Sequence, residues 1–487
     1  MAILGLTSTE TVSAQRWTNI RRKVFYQYPN GSAPLIGILS MLKEEETNDP
    51  EFGWWEKRLK EQITTTAYIS TTVVFAKAIA VTAGALDGNL VGGTFTAATT
   101  ALQITAGTGY GVCVADVSLF RVGHVIQINS VLMTSAKTET IKGIIIGIDR
   151  TNKYIAFTAI ATTSSTIVYN STSNLALTVQ VIGSSFAQGV TDQTSEAYYL
   201  PIYLSNFTQI FRTPFSFTGN ALVTPVKFDD TGIYKDKAKS HSIDHMVEQE
   251  LAFLFGTKYR TATNVANATQ PVPTTGVGLP QYTTGGILYW MQQWEAGNSG
   301  VSVTDQSAAG AGSAGYDQTA ATLDTDDNKR IIANTAGTMN EATYDTYLER
   351  LFRTSNNLSN EKLVLCGSGF LKVMNQMYRS QSTFVYYPPS GDTYGMEIVA
   401  HKTAFGTVYY KTHPLFSRNA TLRNNALFMD VHNLRYRPMS KRDTQLLKNR
   451  QPNDADYRKD EWFTECGLEM RMPESFLYIQ NVQSYIP

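Results

Sequence analysis

The sequence is poor in cysteine, which excludes small folds held together by disulfide bonds or by a four-cysteine zinc site. Its 487 residues contain three cysteines, Cys113, Cys366 and Cys466, which are far apart and odd in number. A disulfide framework or a four-cysteine zinc site cannot be assembled from them. The cysteines therefore indicate a reducing compartment, and the length is ample for two or three subdomains without staples.

An excess of charge of either sign is also missing. The chain has 41 Lys and Arg and 41 Asp and Glu, so its formal net charge is zero. Proteins that neutralise phosphates over their whole surface, such as histones, need a strongly basic composition. The balance argues against that class and favours close packing of many copies of the chain.

Long hydrophobic runs and a secretory signal are absent from the sequence. The longest apolar run near either end covers residues 33–42, about half of the roughly 20 residues that a membrane helix needs. The first ten residues carry no basic n-region and turn polar after Leu6. We therefore expect neither a membrane span nor a cleaved secretory leader.

Motifs of enzymes and metal sites are incomplete. Asp324–Arg330 begins like a calcium loop, but Lys329 stands where the loop needs glycine. His241 and His245 are four residues apart without the glutamate of a metalloprotease motif, so we interpret them as a pair on a helix surface. Gly367–Gly369 lacks the flanking residues of a phosphate loop or a nucleophile elbow and predicts a plain strand-to-helix turn.

Carboxylates near the C-terminus could form an acid–base pair, yet basic residues are interleaved with them. Arg458, Lys459 and Arg471 alternate with five acidic residues, namely Asp454, Asp456, Asp460, Glu465 and Glu469. This pattern favours an ion-paired sheet face over a catalytic pair. We expect no enzyme activity, no cofactor and no metal.

The stretch Ile202–Arg260 is the most informative part of the chain. β-Branched and aromatic residues dominate its first part, and Phe215 and Phe217 alternate with Ser216 and Thr218 as in a half-buried strand. The alternation ends at Gly219-Asn220. From Tyr234 onward the pattern changes to that of a helix.

Five positions of this helix share one face, and four of them are apolar: Ile243, Met246, Val247, Glu250 and Leu254. Gly256 follows Phe255 where a left-handed C-cap would lie. The sequence therefore predicts a helix of roughly 22 residues that ends at Phe255.

Residues 11–32 interleave basic and aromatic side chains, among them Arg16, Trp17, Arg21 and Arg22, without a clear period. They fit an arm that lies on a neighbouring subunit or faces nucleic acid, and equally a solvated lead-in to the first core element. Residues 63–111 are rich in Thr, Ala and Gly, which indicates extended β structure.

Residues 112–186 contain runs of strand-like sequence at short spacing, which predict a small sandwich or barrel. The predicted strands are Val112–Phe120, His124–Asn129, Thr138–Asp149, Tyr154–Ile160, Thr166–Asn170 and Leu175–Ile182, with a hairpin turn at Asp149–Lys153. Further along, the patterns predict helices at Glu341–Phe352 and Phe370–Met377, a buried strand at Lys362–Cys366, and strands from Glu397 to the C-terminus.

Several of these stretches resemble one family. Asn206–Thr213, followed by a strand and a long helix that closes on Glu250–Gly256, is similar to the major capsid proteins of tailed double-stranded DNA phages, which have the Hong Kong 97-type coat fold. Three other blocks match the same family: Phe52, Trp54, Trp55 and Glu56; Thr283, Gly285 and Gly286; and Asn453–Tyr457. Ile287 stands where the family has Leu.

The resemblance implies an α+β fold, in which the strands predicted at about 112–186 would form an inserted all-β subdomain. It implies an N-terminal arm (1–32), an N-terminal helical or peripheral segment (33–62), an E-loop region (63–200), a peripheral domain with a spine helix (201–262), an axial domain (263–430) and C-terminal strands that return to the peripheral domain (431–487).

The resemblance also implies a function: a structural protein that assembles into the hexamers and pentamers of an icosahedral head. Its partners would be copies of itself, portal and accessory or decoration proteins, and double-stranded DNA contacted without sequence specificity, in a virion assembled in the bacterial cytoplasm. The expected assembly contacts are Trp17, Arg21, Arg22, Trp54, Trp55 and Arg212. The alternative is a tail or adhesin component with carbohydrate-binding β domains.

Overall fold

The chain folds into a mixture of helices and strands. The computed structural model describes residues 33–57, 63–65, 104–165, 178–186, 201–224, 233–260, 281–298, 329–353, 360–380 and 399–486, with short gaps inside several of these ranges. The helices are α1 (Pro34–Leu39), α2 (Gly219–Val223), α3 (Ile233–Phe255), α4 (Ile287–Asn298), α5 (Glu341–Arg353), α6 (Ser368–Ser380) and α7 (Pro414–Arg418). Short 3-10 helices cover Val431–Asn433 and Pro473–Ser475.

The strands are β1 (Glu51–Glu56), β2 (Ile63–Thr65), β3 (Gly109–Cys113), β4 (His124–Leu132), β5 (Thr138–Asp149), β6 (Tyr154–Ala159), β7 (Thr178–Ser184), β8 (Ile202–Phe207), β9 (Gln209–Thr218), β10 (Tyr259–Arg260), β11 (Tyr282–Thr283), β12 (Ile331–Ala333), β13 (Thr338–Met339), β14 (Glu361–Cys366), β15 (Val399–Lys402), β16 (Thr407–Thr412), β17 (Ala426–Met429), β18 (Leu434–Pro438), β19 (Gln445–Leu447), β20 (Tyr457–Met470), β21 (Leu477–Gln480) and β22 (Ser484–Tyr485).

The long strand β20 is the centre of one sheet. Its first ten residues pair antiparallel with β9, while β18 and β19 pair with it on the other side. Along β9, Phe211, Phe215 and Phe217 are buried and the residues between them are mostly exposed. This confirms the predicted alternation, and the buried face of β9 packs against α3.

A six-stranded sheet of order β12-β21-β17-β14-β16-β15 forms a second layer. β14 pairs parallel with β16 and antiparallel with β17, so it lies inside the sheet. Five consecutive residues, 362–366, are buried, as expected for a strand covered on both faces. The predicted helices at 341–352 and 370–377 are confirmed as α5 and α6, which contribute to the buried cluster on one face of this sheet.

The order of this sheet corrects one predicted boundary. Residues 431–487 were expected to return together to the unit that contains α3. β18, β19 and β20 do so, but β21 pairs with β17 and β12, and β22 pairs with β13. The C-terminal segment therefore contributes strands to both units.

A third sheet, of order β2-β7-β4-β5-β6-β3, has a buried cluster of its own. All of its described pairings are antiparallel, and its interior is made of side chains such as Ile126, Ile145 and Phe157. The predicted hairpin after Asp149 is confirmed by the pairing of Asp149 with Tyr154. The strand predicted at 166–170 lies outside the described residues.

α3 ends at Phe255 as predicted, but its buried face differs from the predicted one. The buried residues are His245, Gln249, Glu250, Phe253 and Leu254, whereas Met246 is 42% exposed. The prediction failed because it counted apolar residues, while three buried positions are polar and have hydrogen-bonding or packing partners on other elements. Apolar periodicity alone cannot identify such a face.

The residue after α3 is not a left-handed cap, which corrects a second expectation. The described glycines with positive φ are Gly107, Gly123 and Gly337. Gly256 is required for space instead, because a Cβ there would lie 2.3 Å from the carbonyl oxygen of Ala252.

Replacement of Leu254 by Asp should prevent folding. Leu254 is 1% exposed, so the carboxylate would be buried without a partner, at a cost comparable with a total stability of about 5–15 kcal/mol. Val247 is only half-buried, so Val247→Asp should be milder, and Met246→Asp is the matched control on the exposed face. Soluble yield and thermal melting measure the three variants. A Leu254→Asp variant that melts like the wild type would contradict the packing described for α3.

Candidate functional site

Asn206 is the residue at which three distant parts of the chain meet. It is fully buried near the end of β8. Its Nδ2 donates to the carbonyl oxygens of Gly285 at 3.0 Å and Leu468 at 2.7 Å, and to Thr284 Oγ1 at 3.2 Å. Its Oδ1 accepts from the backbone N–H groups of Phe207 and Gly285 at 2.9 and 2.8 Å. The amide is therefore satisfied on both sides.

Glycines allow the end of α3 and the start of α4 to touch backbone to backbone. Gly286 N–H donates to the carbonyl of Gly256 at 2.8 Å. A Cβ at Gly286 would lie 2.7 Å from the carbonyl oxygens of Ala252 and Phe253, and one at Gly256 would lie 2.6 Å from that of Thr284. No larger residue fits at either position without displacing backbone.

The structure thus brings together three stretches that the sequence analysis singled out separately. Asn206–Thr213, Glu250–Gly256 and Thr283–Gly286 all contribute to this one buried junction. Sequence reasoning named these stretches but missed what joins them, since the hydrogen bonds of Asn206 to other elements reach residues 78 to 262 positions away.

Glu250 joins α3 to two other parts of the subunit. Its Oε1 and Oε2 accept from the backbone N–H groups of Leu35 and Ile36 at 2.8 Å each, at the start of α1. His413 Nε2 lies 2.9 Å from Oε1, and His413 Nδ1 accepts from Leu415 N–H at 3.2 Å, so Nε2 carries the proton and donates to the carboxylate. Glu250 and His413 are both fully buried. One signal was present in the sequence: Glu250 was the polar exception on an otherwise apolar predicted face.

His245 connects α3 to the β20 sheet. Its Nδ1 is 2.8 Å from Thr213 Oγ1 on β9, and its Nε2 is 2.8 Å from Thr464 Oγ1 on β20. Burial lowers the pKa of His245 to about 4, so the ring is neutral at pH 7. His241 stacks on Phe215 with 5.5 Å between ring centres. The prediction of a histidine pair on the helix surface is therefore wrong for His245, whose side chain is 1% exposed.

Three of the five predicted carboxylates, Asp460, Glu465 and Glu469, lie on β20 and form an ion-paired sheet face together with Glu461, whereas Asp454 and Asp456 precede the strand. Asp460, Glu461, Glu465 and Glu469 are all less than a tenth exposed. Each meets at least one arginine, in the pairs Arg458–Asp460, Arg212–Glu461, Arg442–Glu465, Arg437–Glu469 and Arg471–Glu469. Each of these buried carboxyl groups therefore has a group of opposite charge beside it.

The two adjacent tryptophans of β1 have opposite environments. Trp54 is 6% exposed, lies 5.3 Å from Trp290 between ring centres, and donates from Nε1 to Glu56 at 3.0 Å. It is a core residue, so the expectation that Trp54 contacts another subunit is wrong. Trp55 is 66% exposed and leans on Tyr203, which is itself 44% exposed.

Of the other expected contacts, Arg212 is described and three are not. Arg212 makes two hydrogen bonds to Glu461, at 2.9 and 2.7 Å, with about half of its side chain exposed. Trp17, Arg21 and Arg22 lie outside the described residues. Trp55 and Arg212 thus stay predictions, because both present surface that a neighbouring molecule can reach.

Within the described part of the chain, no group of three or more His, Cys, Asp or Glu side chains could hold a metal ion. Gly367–Gly369 is confirmed as a strand-to-helix turn between β14 and α6. Most of the calcium-loop-like Asp324–Arg330 lies outside the described residues. Among the helices described, none is long and apolar enough to cross a membrane.

Comparison with known families decides the assignment. A model described as "SU10 major capsid protein" matches residues 6–483, nearly the whole chain. The chain belongs to this family. It is therefore a phage major capsid protein, a structural component of the virion shell, and the alternative of a tail or adhesin component is not supported.

Individual relatives are distant. The major capsid protein of Pseudomonas phage PaMx41 is 22% identical over 410 residues, which cover 84% of this chain and 75% of that protein. Solved structures from Mycobacterium phage Bobi and Microbacterium phage Oxtober96 align with TM-scores of 0.39 and 0.38 at 8% and 9% identity, over 97% and 98% of this chain and 98% and 99% of theirs. These scores are low, so the assignment rests on the family match.

Replacement of Asn206 by Ala should destabilise the subunit strongly. The carbonyl oxygens of Gly285 and Leu468 and the N–H of Gly285 would lose their partner in a site closed to water, and each unsatisfied group costs about 1–3 kcal/mol. Chemical denaturation of the soluble subunit measures the loss. Asn220→Ala, at an exposed helix position, is the matched control. A loss below about 1 kcal/mol at position 206 would show that the junction does not depend on this amide.

Subunit stability should fall as the pH falls through the range set by His245. The unfolded ring binds a proton near its ordinary pKa of 6.5, while the folded ring does so only near about 4. Between these values the unfolded state holds more protons, so this group contributes a loss of up to about 3 kcal/mol as the pH falls. His124 and His401 also have lowered pKa values, chiefly through burial, and add in the same direction.

The contribution of His245 is isolated by comparing variants. His245→Gln should show a smaller difference in unfolding free energy between about pH 7.5 and about pH 4.5 than the wild type. The half-exposed His432 gives the matched control, His432→Gln, which should keep the wild-type difference. Equal pH dependence in the wild type and in His245→Gln would contradict the buried neutral ring.

Proposed function

We propose that this capsid protein has the Hong Kong 97-type coat fold and forms the hexamers and pentamers of an icosahedral head around double-stranded DNA. The family match over residues 6–483 carries the proposal. The junction at Asn206 supports it, because the stretches that resemble the coat fold meet there. In this fold α3 is the spine helix, and the β20 sheet with α3 is the peripheral domain.

An inserted all-β subdomain in the E-loop region is part of the proposal. β1 and β8 pair antiparallel from Glu51↔Phe207 to Glu56↔Ile202. Everything between residues 57 and 201 therefore leaves and returns at one end of this two-stranded ribbon. The sheet that follows has a separate buried cluster, as a self-contained module requires.

Trp55 is the strongest described candidate for a contact between subunits. Trp55 and Tyr203 are cross-strand neighbours on the outer face of the ribbon, and their rings lie 5.0 Å apart. The ring of Tyr203 lies across Gly53, where a Cβ would be 2.2 Å from the Tyr203 hydroxyl. The two rings thus form an exposed aromatic surface, of the kind that contacts between proteins commonly cover.

The remaining partners follow from the same proposal. Portal and accessory or decoration proteins would bind the shell, and DNA would be contacted on the inner face without sequence specificity, in heads assembled in the bacterial cytoplasm. Zero net charge fits weak, non-specific contact with DNA better than tight binding. Trp17, Arg21, Arg22 and Arg212 are proposed as further assembly contacts.

Assembly of the overexpressed protein tests the proposal. Electron microscopy and sedimentation should show closed shells or rings of five and six subunits. Trp55→Ser should leave the melting of the isolated subunit unchanged but lower the assembled fraction, because the surface that another subunit covers is lost. Deletion of residues 1–28 should likewise give a folded subunit that fails to form stable heads.

Ile160→Ser, which removes an exposed side chain just after β6, is the matched control and should assemble normally. Fibres or lone monomers from the wild type under all assembly conditions would overturn the proposed function. Normal, heat-resistant assembly of Trp55→Ser and of the truncated chain would remove these two segments from the assembly contacts.

A further inference from the structure

Lys362, Asp430 and Glu474 are buried charged side chains that lie together outside the junction described above, and the buried Arg330 interacts electrostatically with Glu474. Lys362 Nζ on β14 is 3.0 Å from Asp430 Oδ2, just after β17, and the two side chains are 0% and 3% exposed. Glu474, in the 3-10 helix before β21, is 5% exposed. None of the three is needed for the capsid assignment.

Backbone pairing holds these residues in place. β14 and β17 pair antiparallel with Leu363 opposite Met429, so Lys362 and Asp430 are the next cross-strand pair. β17 and β21 pair with Phe428 opposite Leu477. The 3-10 helix Pro473–Ser475 immediately precedes β21, so Glu474 lies at the same end of the sheet as Asp430, and its charge acts on Lys362. The amine and the two carboxyl groups therefore share one end of three adjacent strands.

Burial raises the free energy of the charged Lys362–Asp430 pair. Burial lowers the pKa of Lys362, and the charges of Asp430 and Glu474 oppose that shift only in part. When two opposite charges are buried in a low-dielectric interior, the solvation free energy that they lose exceeds their mutual attraction unless the geometry is excellent. The two reactants of an amide, a neutral amine and a carboxylic acid, differ from this 3.0 Å ion pair only by the transfer of one proton from Lys362 Nζ to Asp430 Oδ2.

We propose that Lys362 and Asp430 condense to an intramolecular isopeptide bond, with Glu474 as the proton-transfer group. The neutral Nζ attacks Cγ of the protonated Asp430 carboxyl, and the Nζ–Cγ bond forms. The Glu474 carboxylate takes a proton from the nitrogen and returns it to the hydroxyl of Oδ2. The Cγ–Oδ2 bond then breaks and one water leaves, with no change of oxidation state and no further reactant.

The carboxyl group of Asp430 is oriented for this step. Its Oδ1 accepts from the backbone N–H of His432 at 3.1 Å, while Oδ2 faces the amine. The same N–H stabilises the negative charge that develops on Oδ1 when the nitrogen attacks, as a preorganised donor does in acyl transfer. After water leaves, Oδ1 is the amide oxygen and keeps this hydrogen bond.

The bond would join β14 to the end of β17, two central strands of the six-stranded sheet. It would replace two buried charges with a neutral amide and tie together residues 68 positions apart. The sheet could then not separate between these strands without breaking a covalent bond. This consequence concerns the single subunit and does not rest on the proposed assembly.

Intact mass of the denatured full-length protein tests the proposal. After incubation in the folded state, the wild type should be lighter than its sequence by one water molecule, and trypsin should release a branched peptide that joins the Lys362 and Asp430 segments. Lys362→Arg keeps the positive charge and the ion pair but should show the full sequence mass. Lys372→Arg, at an exposed lysine of α6, is the matched control and should keep the loss of water.

The role of Glu474 has its own measurement. Glu474→Gln removes the proton acceptor at nearly constant volume, so conversion to the lighter form should slow by on the order of 100-fold or more. A wild type at full sequence mass after prolonged incubation, or a loss of water that persists in Lys362→Arg, would overturn the bond. Equal conversion rates in the wild type and in Glu474→Gln would overturn the role given to Glu474.

Discussion

A buried carboxylate on α3 is the constraint on which the arrangement of the subunit depends. Glu250 is fully buried, yet both of its oxygens accept from the first N–H groups of α1, and Oε1 also accepts from His413. Those N–H groups have no partner within a helix and prefer a negative charge. A single side chain therefore fixes α1 and the segment before α7 against α3, and an apolar residue of the same size would leave each of these groups unpaired.

Other buried carboxylates are also paired with groups inside the subunit, which changes the interpretation of the zero net charge. Glu469 is fully buried and meets Arg437 and Arg471, and Asp460 meets Arg458 with a pKa that hydrogen bonds and this arginine lower despite burial. The balance of acidic and basic residues was interpreted as a sign of packing between copies. Part of it reflects pairing inside one subunit, so composition alone does not describe the outer surface.

Periodicity predicted which elements exist better than it predicted their faces. α3, α5, α6 and the strand alternation of β9 follow from local pattern, because a single spacing rule determines each. The face of α3 does not, since His245 and Glu250 are buried by partners on other elements.

The tryptophans show the opposite case, in which a usable signal was overlooked. Residues 52, 54 and 56 of a strand must share one face, and all three are buried. Only Trp55 could then point outward. A predicted subunit contact for both tryptophans ignores this alternation.

The position of Trp55 connects the ribbon to the proposed insertion. The pair Trp55↔Tyr203 immediately precedes Glu56↔Ile202, which is the last pair before the chain continues to the six-stranded sheet formed by β2 to β7. A sheet with its own core, attached through one end of a two-stranded ribbon, can be oriented only by contacts at that attachment or beyond it. An exposed aromatic pair at the attachment is well placed to make such contacts. A neighbouring subunit that covers Trp55 would therefore determine both its own docking position and the orientation of the proposed inserted sheet.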